Sequence, residues 1–531
     1  MRKTAITFLL MVSAAVSYAQ TAYDALLFSE NNYEGTARSV AMGNAFTALG
    51  GDLGSISINP AGSAVAGYSQ FTITPGLTFS ASSAQGVSPY ENGSLPYFER
   101  KMRSSMTEFS LPNIGITINW ETNRTSGLKN VTFGFVANKT AGFDQDVYAN
   151  GMNSTTTFMG ALAVDATGYP SAELNAKDAY DYYPWSSVVG YQSGMISNFG
   201  GYDDEYVGAS ELIFDNGDIV LGGDIDQTYG RRVSGDKFDY VFNLGANISD
   251  FIYLGANIGI STLDYTYDEY FKEAAIDPAD FDIALDNGEH MYFSQMKYRY
   301  YYDAEGSGTY AKIGAIITPG FGFRIGAAIQ TPTVSSIVER WQYTGSTEFT
   351  SSKYNGYASS PEGEYRYNVV SPFRANVGLA YTFMNFAVLS ADYEFTDYGQ
   401  MKFKTSGGDR DWFEEVNNDI REFFGPQHML RIGAEIKFGS LAVRGGYGLT
   451  TSPEVNFNGP YRSNASFGLG YSSKGSFYTD FAVRVNNYSK EYYMPYADYI
   501  FNDDGSIAEP VPELLITRSD WKALLTLGWR F

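Results

Sequence analysis

The chain carries a repeated alternation of apolar and polar residues with a period of two. Apolar residues occupy every second position from Trp521 to Phe531. The same alternation covers 374–383, 430–438 and 477–486. Further runs lie near 69–81, 130–138, 237–247, 251–262, 310–318, 321–330, 386–396 and 441–449. Because successive side chains of a β-strand point to opposite faces, this period predicts strands with one apolar face.

The predicted strands come in close pairs. Short turns at 247–250, 382–385 and 438–440 join the members of a pair, whereas long segments rich in Asp, Asn, Tyr and Gly separate the pairs. Short turns on one side and long loops on the other are typical of an outer-membrane barrel. In a bilayer only a closed barrel satisfies the backbone hydrogen bonds of every strand. The pattern therefore predicts an all-β protein, a transmembrane antiparallel β-barrel over residues 69–531.

A large soluble β-sandwich or propeller is the alternative interpretation of the same period. The faces opposite the apolar ones carry charges and glycines, which fits a wet lumen better than a second core. The chain also ends on an aromatic residue, Phe531. This is the form that outer-membrane proteins present to the barrel-assembly machinery, so Phe531 is the expected contact with it. Beyond residue 20 no run of 18 or more apolar residues predicts a helical span.

Residues 1–19 have the features of a secretory signal peptide. Arg2 and Lys3 precede an apolar stretch at 4–16, and Ser17-Tyr18-Ala19 offers small residues for cleavage before Gln20. Export and a barrel together predict the outer membrane of a Gram-negative bacterium.

Composition excludes several functions. The net charge of −23 over 531 residues argues against nucleic acid as a partner. The absence of cysteine excludes disulfides, thiolate metal sites and a Cys nucleophile. His290 and His428 are far apart in the sequence, and the acidic patches at 203–205 and 215–218 lack EF-hand spacing. We therefore expect no enzyme, no cofactor and no metal site.

Residues 20–68 do not alternate and are rich in Ala and Gly. The stretch 37–49 predicts a short helix or tight packing, and 56–62 follows with Asn59-Pro60-Ala61. Small side chains permit close approach to another backbone. Such a segment ahead of the first strand can thread into a barrel, so residues 20–68 are predicted to be a hatch that plugs the lumen.

Two regions, together about a third of the chain, resemble the FadL/TodX (OMPP1) family of outer-membrane transporters. The stretch Gly35 to Gly62 resembles the hatch of that family, whose signature is the Asn-Pro-Ala tripeptide. The order of strand pair at 373–403, acidic insertion at 411–424, strand pair at 428–448 and Ser452-Pro453 is similar to the C-terminal third of the family. Residues 81–108 and 142–236 are longer than the family requires and do not align.

The resemblance implies a monomeric barrel of about 14 strands, closed by its hatch. The implied substrates are hydrophobic molecules such as long-chain fatty acids or aromatic hydrocarbons. They would be captured by the extracellular loops, bound in a pocket behind the hatch and released sideways through a gap made by a kinked third strand. Lipids and lipopolysaccharide of the outer membrane would surround the barrel, and no energy source would be needed.

The resemblance also carries over to particular positions. Asn59, Pro60 and Ala61 should lie where the hatch meets the wall, with the Asn59 amide capping free backbone groups. The alternative is an Asn-Pro turn without a gating role. The third strand best matches 131–141, which makes Gly142 the candidate kink. The alternative is a glycine that simply ends the strand.

Two aromatic segments are candidates for the first landing of a ligand. The segment 264–302 contributes Phe271, Phe281 and Phe293, and the acidic insertion contributes Trp412, Phe413, Ile420 and Phe423. If exposed, they would form an apolar patch that receives a lipid. Alternatively, they pack their own loops or form the interfacial girdle. Arg231, Arg232, Arg324 and Lys312 are candidate partners for a ligand carboxylate.

Two other functions fit the same barrel. One is a FadL-like accessory or shuttle barrel of a protein secretion system, which a continuous third strand or a hatch without a pocket would favour. The other is a surface adhesin or a general porin, and a wide unplugged lumen would favour the porin.

Overall fold

A computed structural model describes residues 21–87, 97–199, 201–214, 218–285, 288–384, 386–405, 410–457, 459–473, 476–502 and 504–531, with backbone alone for Arg410 and Asp411. The predicted signal peptide at 1–19 lies outside the described residues. So do three residues of the acidic patch at 215–218, of which only Asp218 is described.

Strands dominate the described residues. In chain order they are β1 Gln70–Val87, β2 Met102–Glu121, β3 Leu128–Gly142, β4 Gln145–Asn153, β5 Ile196–Asn198, β6 Tyr206–Gly208, β7 Glu211–Ile213, β8 Ile219–Leu221, β9 Ile225–Ser234, β10 Asp236–Ile248, β11 Ile252–Ala275, β12 Asp282–Ala284, β13 His290–Gly320, β14 Phe323–Gln330, β15 Val334–Phe349, β16 Gly356–Ser359, β17 Gly363–Val370, β18 Arg374–Phe383, β19 Ala387–Asp397, β20 Lys402–Lys404, β21 Pro426–Phe438, β22 Leu441–Thr451, β23 Pro460–Ser472, β24 Phe477–Tyr488, β25 Glu491–Tyr493, β26 Ile500–Phe501, β27 Ile507–Glu509 and β28 Glu513–Arg530.

The helices are short and few in the described ranges. They are α1 Ala22–Ser29, α2 Ala37–Ala41, α3 Phe158–Ala166, α4 Ser171–Leu174, α5 Ala179–Tyr182, α6 Trp185–Gln192 and α7 Arg410–Phe423. Single 3₁₀ turns lie at Gly54–Ser57 and Pro60–Val65. None of these helices is long and apolar enough to cross a membrane.

The wall is a closed antiparallel barrel of 14 strands, as the sequence predicted. Neighbours around the ring are β1, β2, β3, β10, β11, β13, β14, β18, β19, β21, β22, β23, β24 and β28. The first and last strands close the ring, with pairing that runs from Gln70↔Arg530 to Val87↔Glu513. The turns at 122–127 and 439–440 lie at the same end of the barrel as Gln70 and Arg530 and mark the periplasmic side, and the long loops mark the extracellular side.

Prolines interrupt two neighbouring strands at the same height. β14 stops before Pro332 and β15 resumes at Val334, while β17 stops before Pro372 and β18 resumes at Arg374. Proline has no N–H to donate to a ladder, which is why the pairing lapses there. Above these breaks the sheet continues outward, because β13 pairs with β14 in its lower part and with β15 in its upper part.

The outer face of the lower barrel is apolar and the inner face is polar. Phe109 is 71% exposed, Ile258 65% and Leu379 60%, and all three point away from the lumen. Their inward neighbours include buried Asn, Arg, Lys, Asp and Glu side chains. A soluble protein would bury this apolar face, so the alternation indicates a wall that faces lipid.

A folded cap lies on the extracellular side. It contains α3 to α6 and the hairpins β5–β6 and β7–β8, whose apolar side chains pack on the upward extensions of β11, β13 and β15. The segment 142–236, which the family resemblance could not align, supplies most of this cap.

Candidate functional site

The N-terminal segment 21–68, called the plug segment below, lies against the inner face of the wall. Its atoms bond to side chains of many strands: Ala37 N to Thr526 Oγ1 (2.7 Å), Thr47 N to Asp392 Oδ2 (2.7 Å), Asn257 Nδ2 to Ile56 O (2.9 Å), Asn138 Nδ2 to Ser57 Oγ (2.7 Å) and Lys312 Nζ to Ser57 O (2.7 Å). The inward polar side chains of the wall therefore bond to polar atoms of the plug segment, in addition to the backbone hydrogen bonds that form the turns of the segment itself.

Glycines of the wall allow this close approach. A Cβ at Gly326 would lie 2.0 Å from Thr47 O, and one at Gly433 would lie 2.3 Å from Met42 O. No side chain fits in such a gap, so the inward glycines of the strands are required where the plug segment touches the barrel.

Asn59-Pro60-Ala61 lies against β11, β13 and β14. Asn59 Nδ2 donates to Thr47 O (2.6 Å) and to Ala315 O (3.2 Å), while Asn59 Oδ1 accepts from Ala61 N (3.1 Å). Pro60 opens the 3₁₀ turn, where a missing N–H costs nothing. The Asn59 amide thus ties two parts of the plug segment to a wall carbonyl. A gating role for this tripeptide stays a prediction.

Buried ion pairs link the plug segment to the opposite wall. Arg38 Nε lies 3.0 Å from Glu435 Oε2, and Arg444 Nε lies 2.6 Å from the same oxygen. Arg444 also reaches Asp480, at 2.5 Å. Glu34 pairs with Lys522 nearby. Glu435, Arg444, Asp480, Glu34 and Lys522 are buried, whereas Arg38 is partly exposed, so the buried charges depend on their partners.

Above residues 37–65 of the plug segment is an apolar region that we call the upper chamber. Its side chains come from α1, α7 and the upper strands, and include Ala25, Leu26, Phe28, Phe143, Tyr302, Tyr367, Phe403, Phe413, Val416 and Ile420. Helix α1 fills the middle of it. The last carbonyls of α1 accept from wall cations: Lys237 Nζ donates to Phe28 O (2.9 Å), and Arg374 donates to Ser29 O. Positive charge suits the carbonyl end of a helix, and α1 has no basic residue there itself.

The wall is interrupted between the second and third strands. β2 and β3 pair from Glu121↔Asn130 up to Asn113↔Asn138, and no further pairing joins them in the described residues. Yet β2 continues to pair with β1 as far as Met102, and β3 continues to pair with β10 as far as Gly142. We call this gap in the ladder the wall break.

A β-bulge bends β3 at the wall break. Lys139 pairs with Phe238 and Ala141 with Lys237, so Thr140 is an extra residue on β3. The plug segment covers the freed carbonyls, because Asn32 N donates to Thr140 O (2.5 Å) and Glu34 N to Lys139 O (3.0 Å). The backbone groups that β2 abandons are thus satisfied from the lumen.

The position of the Lys139 side chain shows that the upper end of β3 bends toward the lumen. It shares a face of β3 with lipid-facing Phe133, yet its side chain is fully buried under Glu108 of β2, at 3.1 Å. The upper end of β3 therefore lies inside the line of β2. Lys139 also pairs with Asp236, and the carboxylates of Glu108, Asp144 and Asp236 lie within 4.8 Å of one another. Lys139 supplies the cation that this acidic cluster needs.

The residue predicted for the kink lies at the end of β3, and three of the residues predicted to bind a carboxylate are bonded to other groups of the protein. Gly142 ends β3, two residues beyond the bulge, without a positive φ. Its role as the kink stays a prediction. Arg231 pairs with Glu491 at 2.7 Å, Arg324 donates to Leu49 O and Lys312 to Ser57 O. The sequence patterns did not single out Lys139 and Thr140 as residues of the wall break. The match of the third strand to 131–141 was the only observation that pointed to this region.

The predicted landing patch requires correction. Phe271, Phe281 and Phe293 are at most 3% exposed, in the core of the cap. Phe413 and Ile420 are equally buried in the upper chamber, with Trp412 and Phe423 packed beside them. An apolar face that meets another apolar face on folding is removed from water, so these residues stabilise their own loops and offer no exposed patch.

Comparison with known proteins supports the fold. No protein-family model and no curated protein matches the sequence. Among solved structures, a Pseudomonas aeruginosa FadL homologue aligns with a TM-score of 0.51 and 12% identity, over 94% of this chain and 99% of that one. The Pseudomonas putida toluene transporter TodX gives 0.48 and 12% over 95% and 100%, and the Ralstonia pickettii toluene transporter TbuX gives 0.46 and 14% over 95% and 100%.

The closed ring and its lipid-facing wall place the chain in the outer membrane of a Gram-negative bacterium. Its fold is that of the FadL-type outer-membrane barrels which its N-terminal segment resembles.

Proposed function

We propose that the protein is a passive outer-membrane channel for the uptake of hydrophobic molecules, which leave sideways through the wall break. The observation that carries the proposal is that the β2–β3 ladder stops at Asn113↔Asn138 while both strands continue. A barrel that served only as an anchor would gain stability by completing this ladder. A break that is maintained by a bulge and covered by the plug segment is a built feature.

Lateral release suits an apolar cargo. A water-filled pore gives no favourable environment to such a molecule, whereas a path from an apolar chamber to the lipid phase avoids bulk water. The upper chamber lies next to the wall break, because Ala141 and Phe143 at the end of β3 belong to its lining. Helix α1 occupies the chamber in this structure, so a ligand would replace its apolar contacts.

The substrate class is hydrophobic, and either fatty acids or aromatic hydrocarbons satisfy the proposal. The solved barrels of similar fold include one named a FadL homologue and two named toluene transporters. Organic extraction of the purified barrel, followed by mass spectrometry, would identify a bound hydrophobe and distinguish the two classes. A variant that lacks the plug segment is extracted in the same way for comparison, because this variant should lose the ligand.

A reversible cross-link across the wall break tests the exit directly. The chain has no cysteine, so an introduced pair is the only one present. Ser104 Oγ donates to Asp146 O at 2.6 Å, which brings β2 and β4 together above the break. In Ser104→Cys/Asp146→Cys, oxidation should reduce the initial uptake rate of radiolabelled oleate or toluene by tenfold or more, and reductant should restore it.

The matched control uses the intact ladder of the same strand. Ser82 and Ser104 are direct partners on β1 and β2, so Ser82→Cys/Ser104→Cys adds a disulfide at the same height without crossing the break. Its uptake rate should not depend on redox state. Equal rates in the oxidised and reduced forms of the first pair, with the disulfide confirmed by mass spectrometry, would contradict lateral exit.

A second candidate function is an accessory barrel of protein secretion, with protein as its partner. The folded cap and the filled upper chamber favour it, since both put protein surface where a channel would need an entry. Cross-linking in intact cells that recovers a protein on the cap, together with an empty barrel in the extraction experiment, would support this candidate over the channel.

A further inference from the structure

Three basic residues stand together at the extracellular start of β2. Arg100, Lys101 and Arg103 are all exposed. No ion pair joins any of them to a carboxylate within the part of the chain that the structure describes. Several other cations of the extracellular half do have such partners, as in Arg231–Glu491, Arg299–Asp268, Arg340–Glu364 and Lys353–Glu289. In a chain of net charge −23, three basic residues within four positions form a local concentration of positive charge.

The height of this basic cluster can be read from the strand register. Phe79 on β1 pairs with Thr107 on β2 and with Trp521 on β28, and both aromatic rings are about half exposed toward lipid. Such aromatic residues mark the interface between hydrocarbon and headgroups. Arg103 lies four residues beyond Thr107 on the same outward face. At about 3.3 Å per residue that is about 13 Å along a tilted strand, which is the depth of the headgroups.

We propose that Arg100, Lys101 and Arg103 bind the phosphorylated headgroup of an outer-leaflet lipid, beside the upper edge of β2 at the wall break. A phosphate carries the charge that three unpaired cations require, and arginine binds phosphate oxygens through paired N–H donors. The bound headgroup would hold a lipid of the outer leaflet against the strand whose ladder is incomplete. The inference stands apart from the transport function and does not need it.

The test measures binding of bisphosphorylated lipid A to the full mature barrel in nanodiscs, by native mass spectrometry. Arg100→Gln/Lys101→Gln/Arg103→Gln removes the cluster. The matched control is Lys272→Gln/Lys297→Gln/Lys353→Gln, which removes the same charge at exposed positions far above the lipid-facing Ile260 and Ile313. Each basic residue near an anionic surface contributes roughly fivefold in affinity, so the first variant should bind at least tenfold more weakly. The control should bind like the wild type.

Three further results decide the proposal. The wild type should prefer bisphosphorylated lipid A to lipid A from which both phosphates have been removed, and equal binding of the two would overturn the inference. Competition by millimolar inorganic phosphate alone, to full displacement, would also overturn it, because the site would then recognise free phosphate. Unchanged binding by the cluster variant would overturn it as well.

Heat-modifiable migration on gels confirms that each variant is a folded barrel. Uptake of oleate or toluene by the cluster variant should equal that of the wild type. A barrel that binds lipid A through the cluster but transports nothing would leave this inference intact and contradict the channel. The two proposals therefore fail separately.

Discussion

The lower lumen and the upper chamber hold the same plug segment by opposite means. In the lower lumen, Asn257 and Lys312 of the wall donate to backbone carbonyls of the plug segment, and Asn138 donates to the Ser57 hydroxyl. In the upper chamber, α1 packs on α7 through Ala25, Leu26, Val416 and Ile420. Hydrogen bonds fix position and direction, whereas apolar packing depends on area and shape. The difference teaches that hydrogen bonds hold the part of the plug segment in the lower lumen in one defined position. Helix α1 in the upper chamber is held by apolar packing, and another apolar molecule can take over these contacts.

The largest effect is expected in the lower lumen, from Glu435→Gln. This change leaves buried Arg444 and partly exposed Arg38 with less compensating charge, which should lower the apparent free energy of unfolding in lipid vesicles by about 3–5 kcal/mol. Glu364→Gln is the matched control, since Glu364 pairs with arginines at the exposed surface and should cost under about 1 kcal/mol. Similar losses in the two variants would mean that the lower lumen is solvated and would break the comparison.

A smaller effect, confined to the upper chamber, is expected from Ile420→Ala. Removal of this fully buried side chain should cost about 2–4 kcal/mol. Hydrogen exchange should speed up in α1 and α7 while residues 37–65 keep their protection. The exposed Glu414→Ala on the same helix is the control. If protection fell equally along the whole plug segment, its two parts would form one unit.

A third change concerns the side-chain amide of Asn59, which connects the plug segment to the wall carbonyl of Ala315. Asn59→Ala loses the bonds to Thr47 O and Ala315 O and leaves buried groups unsatisfied, at a cost of about 1–3 kcal/mol. Limited proteolysis should then cut within 47–61 while the barrel stays heat-modifiable. Asn59→Asp, which keeps the bond from Ala61 N but cannot donate, should be cut at a similar rate. If both variants resisted proteolysis as the wild type does, bonds other than those of Asn59 would hold the plug segment in place.

The smallest effect is expected in the cap, from pH. Glu211 is buried and accepts from Gly208 N at 2.8 Å, and burial raises its pKa to about 7. The folded cap therefore prefers the protonated form, so its stability is full below about pH 4.5 and declines as the pH rises to about 7. Relative to Glu211→Gln, exchange of the α3 amides in the wild type should be similar at pH 5 and up to tenfold faster at pH 8. An equal ratio at both values would contradict the protonated form.

The sequence predicted the barrel because lipid imposes a strict period of two, visible in runs such as 521–531. The Ala and Gly density of 20–68 predicted close packing against the wall, and its action as a hatch stays a prediction. Asn59 donates to the wall carbonyl of Ala315, and its role in gating stays a prediction. The sequence left open whether Phe271 and Ile420 form an exposed patch or pack within their own loops, because an amphipathic loop looks the same whether its apolar face meets water or another loop. Lys139 was missed because its contact with Glu108 depends on a bulge in one strand, which no local pattern announces.

The seam between β1 and β28 has a consequence for biosynthesis. The plug segment leaves the ribosome before any strand, yet its contacts with Thr526 and Lys522 involve the last strand of the chain. These contacts cannot form until the C-terminal strand has been delivered to the membrane. Closure of the ring and fixation of the plug segment are therefore one late event, separated from the start of synthesis by nearly the whole chain. A nascent chain that stops short of β28 has an open wall and lacks the contacts of the plug segment with Thr526 and Lys522.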